Sequence, residues 1–132
     1  MRYFTFQEFE RSATAIRHGI DNTIPEQAKK NIAILVDNVL DPLRSWWGKP
    51  IIVTSGYRNT ELNRLVGGVK NSHHMRGMAA DISTGNSVDN RRLFQKVTEL
   101  GLPFTQLIGE KGFSWLHISL DINDQRKERL IR

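Results

Sequence analysis

Met78-Ala79-Ala80-Asp81-Ile82 sets the first constraint on the fold. Small and apolar residues in that order read as a strand passing through the interior, yet one of them is a carboxylate. An ionised aspartate buried without a partner is costly, so the fold must bring a cation to Asp81. An arginine, Arg58 or Arg76, would make a structural ion pair. A metal ion would serve equally well, and would need further ligands from elsewhere in the chain.

Two stretches offer such ligands. His73 and His74 precede Asp81 closely, and Trp115-Leu116-His117-Ile118-Ser119-Leu120 carries another imidazole in an alternating run. On a strand, residues 115, 117 and 119 share one face, and Leu116, Ile118 and Leu120 share the other. The second face is core, so His117 points with Trp115 and Ser119 towards a groove. A lone histidine in that position is ordinarily structural. Two imidazoles and a carboxylate, however, are three ligands, the number a catalytic zinc takes from protein while keeping a fourth position open. Neighbouring side chains on an extended segment point to opposite faces, so His73 and His74 are not expected to share one ion.

Composition narrows the classes. The chain has no cysteine, which excludes a disulfide framework, a thiolate zinc finger and a cysteine nucleophile. At 132 residues, with 39% hydrophobic content, one domain can bury a core without staples. The net charge of +5 suits an anionic polymer such as nucleic acid or cell wall, and equally plain solubility. The basic residues are scattered except for Arg126, Lys127, Arg129 and Arg132, which read as a solvated helix end. A nucleic-acid partner would rest on charge alone and is not expected.

Along the chain, Thr5-Phe6-Gln7-Glu8 has the form of a capping box, placing a short helix at Thr5 with Phe6 and Phe9 towards the core. Pro25 suits a first helical turn. Ile32, Leu35, Val36, Val39, Leu40 and Leu43 then form an amphipathic stripe. Pro42 should kink this helix near its end, and Gly48 should stop it after Trp46 and Trp47, which read as packing residues. Ile51 to Thr54 reads as a buried strand, ended by the turn Ser55-Gly56-Tyr57-Arg58. Thr60 to Val66 predicts a brief helix closed by Gly67-Gly68. Ser87 caps a helix to Leu100 with Val88, Leu93, Val97 and Leu100 inward, terminated by Gly101. Gln106-Leu107-Ile108 and Trp115 to Leu120 are strands joined by a loop containing Gly109 and Gly112. Helices come mainly first and strands mainly after, so the expected class is α+β, a small antiparallel sheet with helices packed on one side.

Ser72-x-His74-x-x-Gly77-x-Ala79-x-Asp81, followed by Trp115-x-His117, resembles the zinc D-Ala-D-Ala carboxypeptidases and related murein peptidases of the M15 class. The likeness is greatest to the branch that includes phage and prophage endolysins. It extends to Ser55-Gly56-Tyr57-Arg58, Leu62-Asn63, Val66-Gly67-Gly68 and Gln106-Leu107-Ile108, and so covers roughly residues 50 to 120. The helical part, about 1–48, carries no diagnostic residues. The resemblance implies the fold shared with the hedgehog signalling domain over a single domain, 1–132. It assigns Zn2+ to His74, Asp81 and His117, and so selects His74 over His73. It places Arg58 beside the metal, on the substrate carboxylate or the developing oxyanion, a task that suits a planar, permanently charged fork.

The general base is the weak point of the pattern. Some relatives carry a glutamate three residues before the last histidine ligand, where this chain has Ser114. Others carry it after the Gln-Leu-Ile strand, and Glu110 matches that place; its plainer reading is a solvated loop acid beside Lys111. The expectation is therefore a zinc peptidase acting on peptidoglycan stem peptides, with Glu110 as base and Arg58, Ser72 and Trp115 around the substrate. Ser72 would act by fixing its loop through hydrogen bonds. The alternative is a catalytically weak or inactive zinc-stabilised module binding cell wall or a protein. Residues 1–8 lack an apolar signal region, and no apolar run approaches membrane-spanning length. The expected protein is thus a monomer made in the cytoplasm, without membrane insertion, acting at the cell wall if released, as in phage or prophage lysis.

Overall fold

Ile32, Leu35, Val36, Val39, Leu40 and Leu43 are each no more than 1% exposed, in a computed structural model that describes residues 1–132. They lie on one long helical segment built of α3 (Glu26–Leu35), a π turn (Val36–Leu40) and α4 (Asp41–Trp47). The expected disturbance from Pro42 falls in this π turn. A proline removes one backbone donor and crowds the preceding turn. The helix widens just before it, so that Asp41 N–H bonds Val36 O, while the Asn38 side chain donates to Ile34 O at 2.8 Å. Gly48, at φ 75°, ends α4 with its N–H on Arg44 O. Trp47 packs against the core as expected, whereas Trp46 is 40% exposed, with Lys96 Nζ 4.6 Å from its ring.

At the N-terminus, Thr5 caps α1 (Phe6–Glu10) with both bonds of a capping box, and Phe9 is fully buried. Ser12 caps a second short helix, α2 (Ala13–Arg17), which the periodicity did not announce. No helix is long and apolar enough to cross a membrane.

Five strands form one sheet: β1 (Ile52–Ser55), β2 (Ala79–Ser83), β3 (Gln106–Glu110), β4 (Trp115–Ser119) and β5 (Glu128–Ile131). Their order is β1-β2-β4-β3-β5, antiparallel throughout except for β5, which runs parallel to β3. The class is α+β, as expected. Ala80, Ile82, Leu107, Leu116 and Ile118 turn towards the long helical segment and α6 (Ser87–Glu99), in one cluster of 23 buried residues. Asp81, His117 and Ile108 turn the other way and share one row across the sheet.

Four local readings change. The strand at residues 51–54 is an edge strand, so Ile51 is buried but Ile52 is 59% exposed. The cap of α6 is Asn86, and its inner face is Asn90, Leu93, Phe94 and Val97. Val88 falls off that stripe and Leu100 lies past the last turn, so both are exposed. Gly109 belongs to β3 rather than to the loop, because Phe113 folds back over it; a Cβ there would sit 2.4 Å from the Phe113 ring. The basic tail is strand β5 rather than a helix end. Its charges lie on an open sheet edge, where they discourage further strand pairing.

Candidate metal centre

His74 comes from a single 3-10 turn, His73–Arg76, and not from an extended segment. The two adjacent histidines therefore part by helical geometry: His74 is 2% exposed and His73 half-buried. The turn is held from three sides. The Ser72 hydroxyl, itself buried, accepts the His74 N–H at 3.2 Å. Gly77 closes the turn at φ 74°, with so little room that a Cβ would lie 2.4 Å from Ala28 O on α3. From the third side, His74 Nδ1 lies 2.7 Å from Gly56 O.

That last contact sets the chemistry of the ring. A carbonyl oxygen only accepts, so Nδ1 carries a proton and Nε2 is the nitrogen left to face the site. Gly56 offers its carbonyl because its backbone lies directly on α1. A Cβ there would be 2.5 Å from Phe9 Cα, and Tyr57 N–H bonds Phe9 O at 2.8 Å. The Ser-Gly-Tyr-Arg turn is thus a bracket between the first helix and His74.

Asp81 stands mid-strand on β2, directly opposite His117 on β4 and Ser55 on β1. Its Oδ1 lies 3.1 Å from His117 Nδ1 and 3.3 Å from His74 Nε2. The three donor atoms fall within 4.8 Å of one another. Tetrahedral zinc with bonds of about 2.0–2.1 Å separates its donors by roughly 3.3 Å, so the set has the size of one face of such a site. His74 Nε2 is buried and has no hydrogen-bond partner. It faces a carboxylate oxygen at 3.3 Å, so the two must share a cation, a proton or a metal ion, between them. The residues fit a metal ion.

Arginine also reaches Asp81. Arg58 Nη2 lies 3.4 Å from Asp81 Oδ2, so the ion pair uses one oxygen of the carboxylate and the other faces the two histidines. Arg58 donates as well to Ser55 Oγ at 3.1 Å and to Asn63 Oδ1 at 3.3 Å. Burial alone would push the Asp81 carboxyl up. The contacts with His117 and His74 outweigh it and hold the group well below the usual carboxylate range, so Asp81 stays ionised.

Glu110 ends β3 opposite Trp115, on the face that carries His117. It is diagonal to His117, a step of about 7–8 Å between backbones that a long side chain spans. Its half-buried carboxylate makes no ion pair or hydrogen bond with the protein. Ser114 is exposed, and its hydroxyl donates to Lys111 O at 2.7 Å within the turn between β3 and β4. Trp115 is half-buried beside the site, with Lys111 Nζ 5.9 Å from its ring. Sequence reasoning missed two participants: the carbonyl of Gly56, and Asn63 as a partner of Arg58. Both sit inside stretches that the family resemblance covers, which was the available signal.

Among known proteins, the family model described as Peptidase M15 matches residues 2–119. A stretch of 38 residues, 29% of this chain, is 50% identical to the zinc D-Ala-D-Ala carboxypeptidase of Streptomyces albus G. That stretch spans only 15% of the relative's length.

Proposed function

The chain belongs to the peptidase M15 family, and from that premise we infer that it is a zinc metallopeptidase acting on peptidoglycan stem peptides. The reaction is hydrolysis of a peptide bond, as a D,D-carboxypeptidase or an endopeptidase. The observation that carries the reading is the buried, unpartnered Nε2 of His74 facing Asp81 and His117. The relative named for zinc and for D-Ala-D-Ala supports both the metal and the substrate class.

His74, Asp81 and His117 would hold the zinc, which when bound would supply a Lewis acid able to acidify water and polarise a carbonyl. Glu110 receives the proton of the attacking water and hands it to the leaving amine; its freedom from other partners suits that task. Arg58 spends three N–H groups on Ser55, Asn63 and Asp81. A guanidinium has five N–H groups, so about two remain for a substrate carboxylate or the developing oxyanion. Trp115 forms a wall beside His117. Ser72 serves the substrate only indirectly, by holding the turn that presents His74.

The deciding experiment digests purified peptidoglycan with zinc-loaded wild type and Glu110→Gln, and identifies the released muropeptides by mass spectrometry. Wild type should release D-alanine or stem fragments. Loss of a general base typically lowers turnover by about 10²–10⁴-fold, and Glu110→Gln should fall in that range with its zinc content unchanged. One zinc per chain with no product would favour the binding-module reading, to which Ser114 in place of a glutamate lends its support. Lysis of cells from within, as by an endolysin of phage or prophage, is the setting that this reading gives the enzyme.

A further inference from the structure

We propose that Asn63 and Gly68 are positioning residues of the metal centre. Gly68 clamps the Asn63 side chain, Asn63 holds the Arg58 guanidinium, and Arg58 fixes Asp81 so that a single carboxylate oxygen faces the two histidines. The proposal rests on the metallopeptidase reading and gives a task to the Leu62-Asn63 and Gly67-Gly68 stretches, which the mechanism above leaves without one.

Asn63 lies on α5 (Thr60–Leu65), a helix capped by Asn59. Asparagine is a weak helix former because its side chain competes for backbone partners. Here it is 4% exposed, so both ends of its carboxamide need partners. The nitrogen donates to Val69 O at 2.9 Å, and the oxygen accepts from Arg58 Nη1 at 3.3 Å. A carbonyl cannot donate and a guanidinium cannot accept, so these two neighbours fix which way the amide points.

The two glycines that follow do different work. Gly67 has φ 74° and open space around it, so its task is the left-handed turn after α5. At Gly68 no left-handed conformation is involved, and space is the constraint. A Cβ there would lie 2.1 Å from Asn63 Oδ1, 2.8 Å from Asn63 Cγ and 3.0 Å from Arg58 Nη1. The Gly68 N–H also bonds Asn63 O at 2.9 Å. The backbone at residue 68 therefore lies flat on the amide and the edge of the guanidinium, where any side chain would push them apart.

Arg58 is then held at three points, on Ser55, Asn63 and Asp81, and its side chain is only 14% exposed. Two of these anchors belong to the sheet, since Ser55 and Asp81 are cross-strand partners. Asn63 is the anchor from outside the sheet and decides the plane of the guanidinium. With Oδ2 of Asp81 on Arg58, Oδ1 is left to the histidines. If Arg58 swings away, the carboxylate can rotate and the donor set loses its spacing. Partners one step behind metal ligands typically change metal affinity by about 10–100-fold when removed.

The test compares Asn63→Ala, Asn63→Asp and Gly68→Ala with wild type. Zinc affinity is read by competition with a chromophoric chelator, and the Arg58 Nη–H resonances by NMR in the metal-free proteins at low temperature. Asn63→Asp keeps an oxygen for Arg58 but replaces the donor to Val69 O with an acceptor; Asn63→Ala loses both contacts. Asn63→Ala and Gly68→Ala should bind zinc about 10–100-fold more weakly, while Asn63→Asp stays within a few-fold of wild type. The Arg58 Nη–H signals should move to the position of a free arginine in Asn63→Ala and stay dispersed in Asn63→Asp. Equal losses in the alanine and aspartate variants would show that the Val69 bond alone matters, a merely structural role, and would overturn the proposal. So would wild-type affinity in Gly68→Ala, or an unmoved Arg58 signal in Asn63→Ala. Wild type that binds no zinc would sink the peptidase reading and the metal half of the relay together, and the NMR arm would still decide whether Asn63 holds Arg58.

Discussion

Gly56 links stability and chemistry within one residue. Its backbone touches Phe9 where a Cβ would lie 2.5 Å from Phe9 Cα, and its carbonyl fixes the tautomer of His74. The obstacle is backbone, which cannot rotate aside as a side chain would. Gly56→Ala is therefore expected to lower stability by about 1–3 kcal/mol, measured by urea denaturation of the metal-free protein. It should also weaken the Nδ1 bond, so that 15N shifts of His74 lose the single-tautomer pattern of wild type; an unchanged pattern would refute the bracket role. The family resemblance covers the stretch that holds Gly56, but residue types alone do not mark its carbonyl as the partner of His74, because every residue carries a carbonyl and only the fold chooses among them. Asp81 was legible for the opposite reason: a carboxylate inside Met78-Ala79-Ala80-Asp81-Ile82 declares that a cation is needed. Arginine and metal were read there as alternatives. That Arg58 takes Oδ2 while Oδ1 faces the two histidines is a matter of ångströms, which residue types do not encode.

The elements around the site divide by how local their causes are. The capping box at Thr5, the stripe ending at Leu43 and the Gly48 stop depend on neighbours within a few residues, and each was readable. β5 was not. Its partner β3 is more than twenty positions earlier, and only Leu130, opposite Ile108, is half-buried to hint at a strand. Its end has a consequence for the proposed base. Arg132 N–H bonds Gly109 O and Lys111 N–H bonds Arg132 O, both at 2.8 Å, so the tail pins the backbone on either side of Glu110. The proposed metal ligands, on β2, β4 and the 3-10 turn, do not bond to it. Arg132→Pro removes one of these donors and should lower kcat on stem peptides, with misplacement of about 1 Å able to cost up to 10²-fold. Zinc affinity should stay at the wild-type value in the same preparation. Equal loss of both would mean that β5 supports the whole sheet rather than the base.

At the scale of the molecule, the sheet separates folding from chemistry. The cluster of 23 buried residues lies between one face and the long helices, while His74, Asp81 and His117 gather on the other. A zinc finger collapses without its ion because the metal takes the place of a core; this chain has a core of its own and no cysteine. Without metal, Arg58 still supplies a cation to Asp81 at 3.4 Å, so the carboxylate is not left uncompensated. Zinc binding should therefore add to stability by mass action alone. At a free concentration 100 times Kd that is about 2.7 kcal/mol, which for a domain of this size raises Tm by on the order of 10 °C. Thermal melts followed by circular dichroism, with and without a strong chelator, measure the shift directly. Chelated protein should keep its helical signal at 25 °C and melt cooperatively at the lower temperature. Loss of that signal on chelation would show that the metal holds the fold itself, and that the two faces of the sheet are not independent.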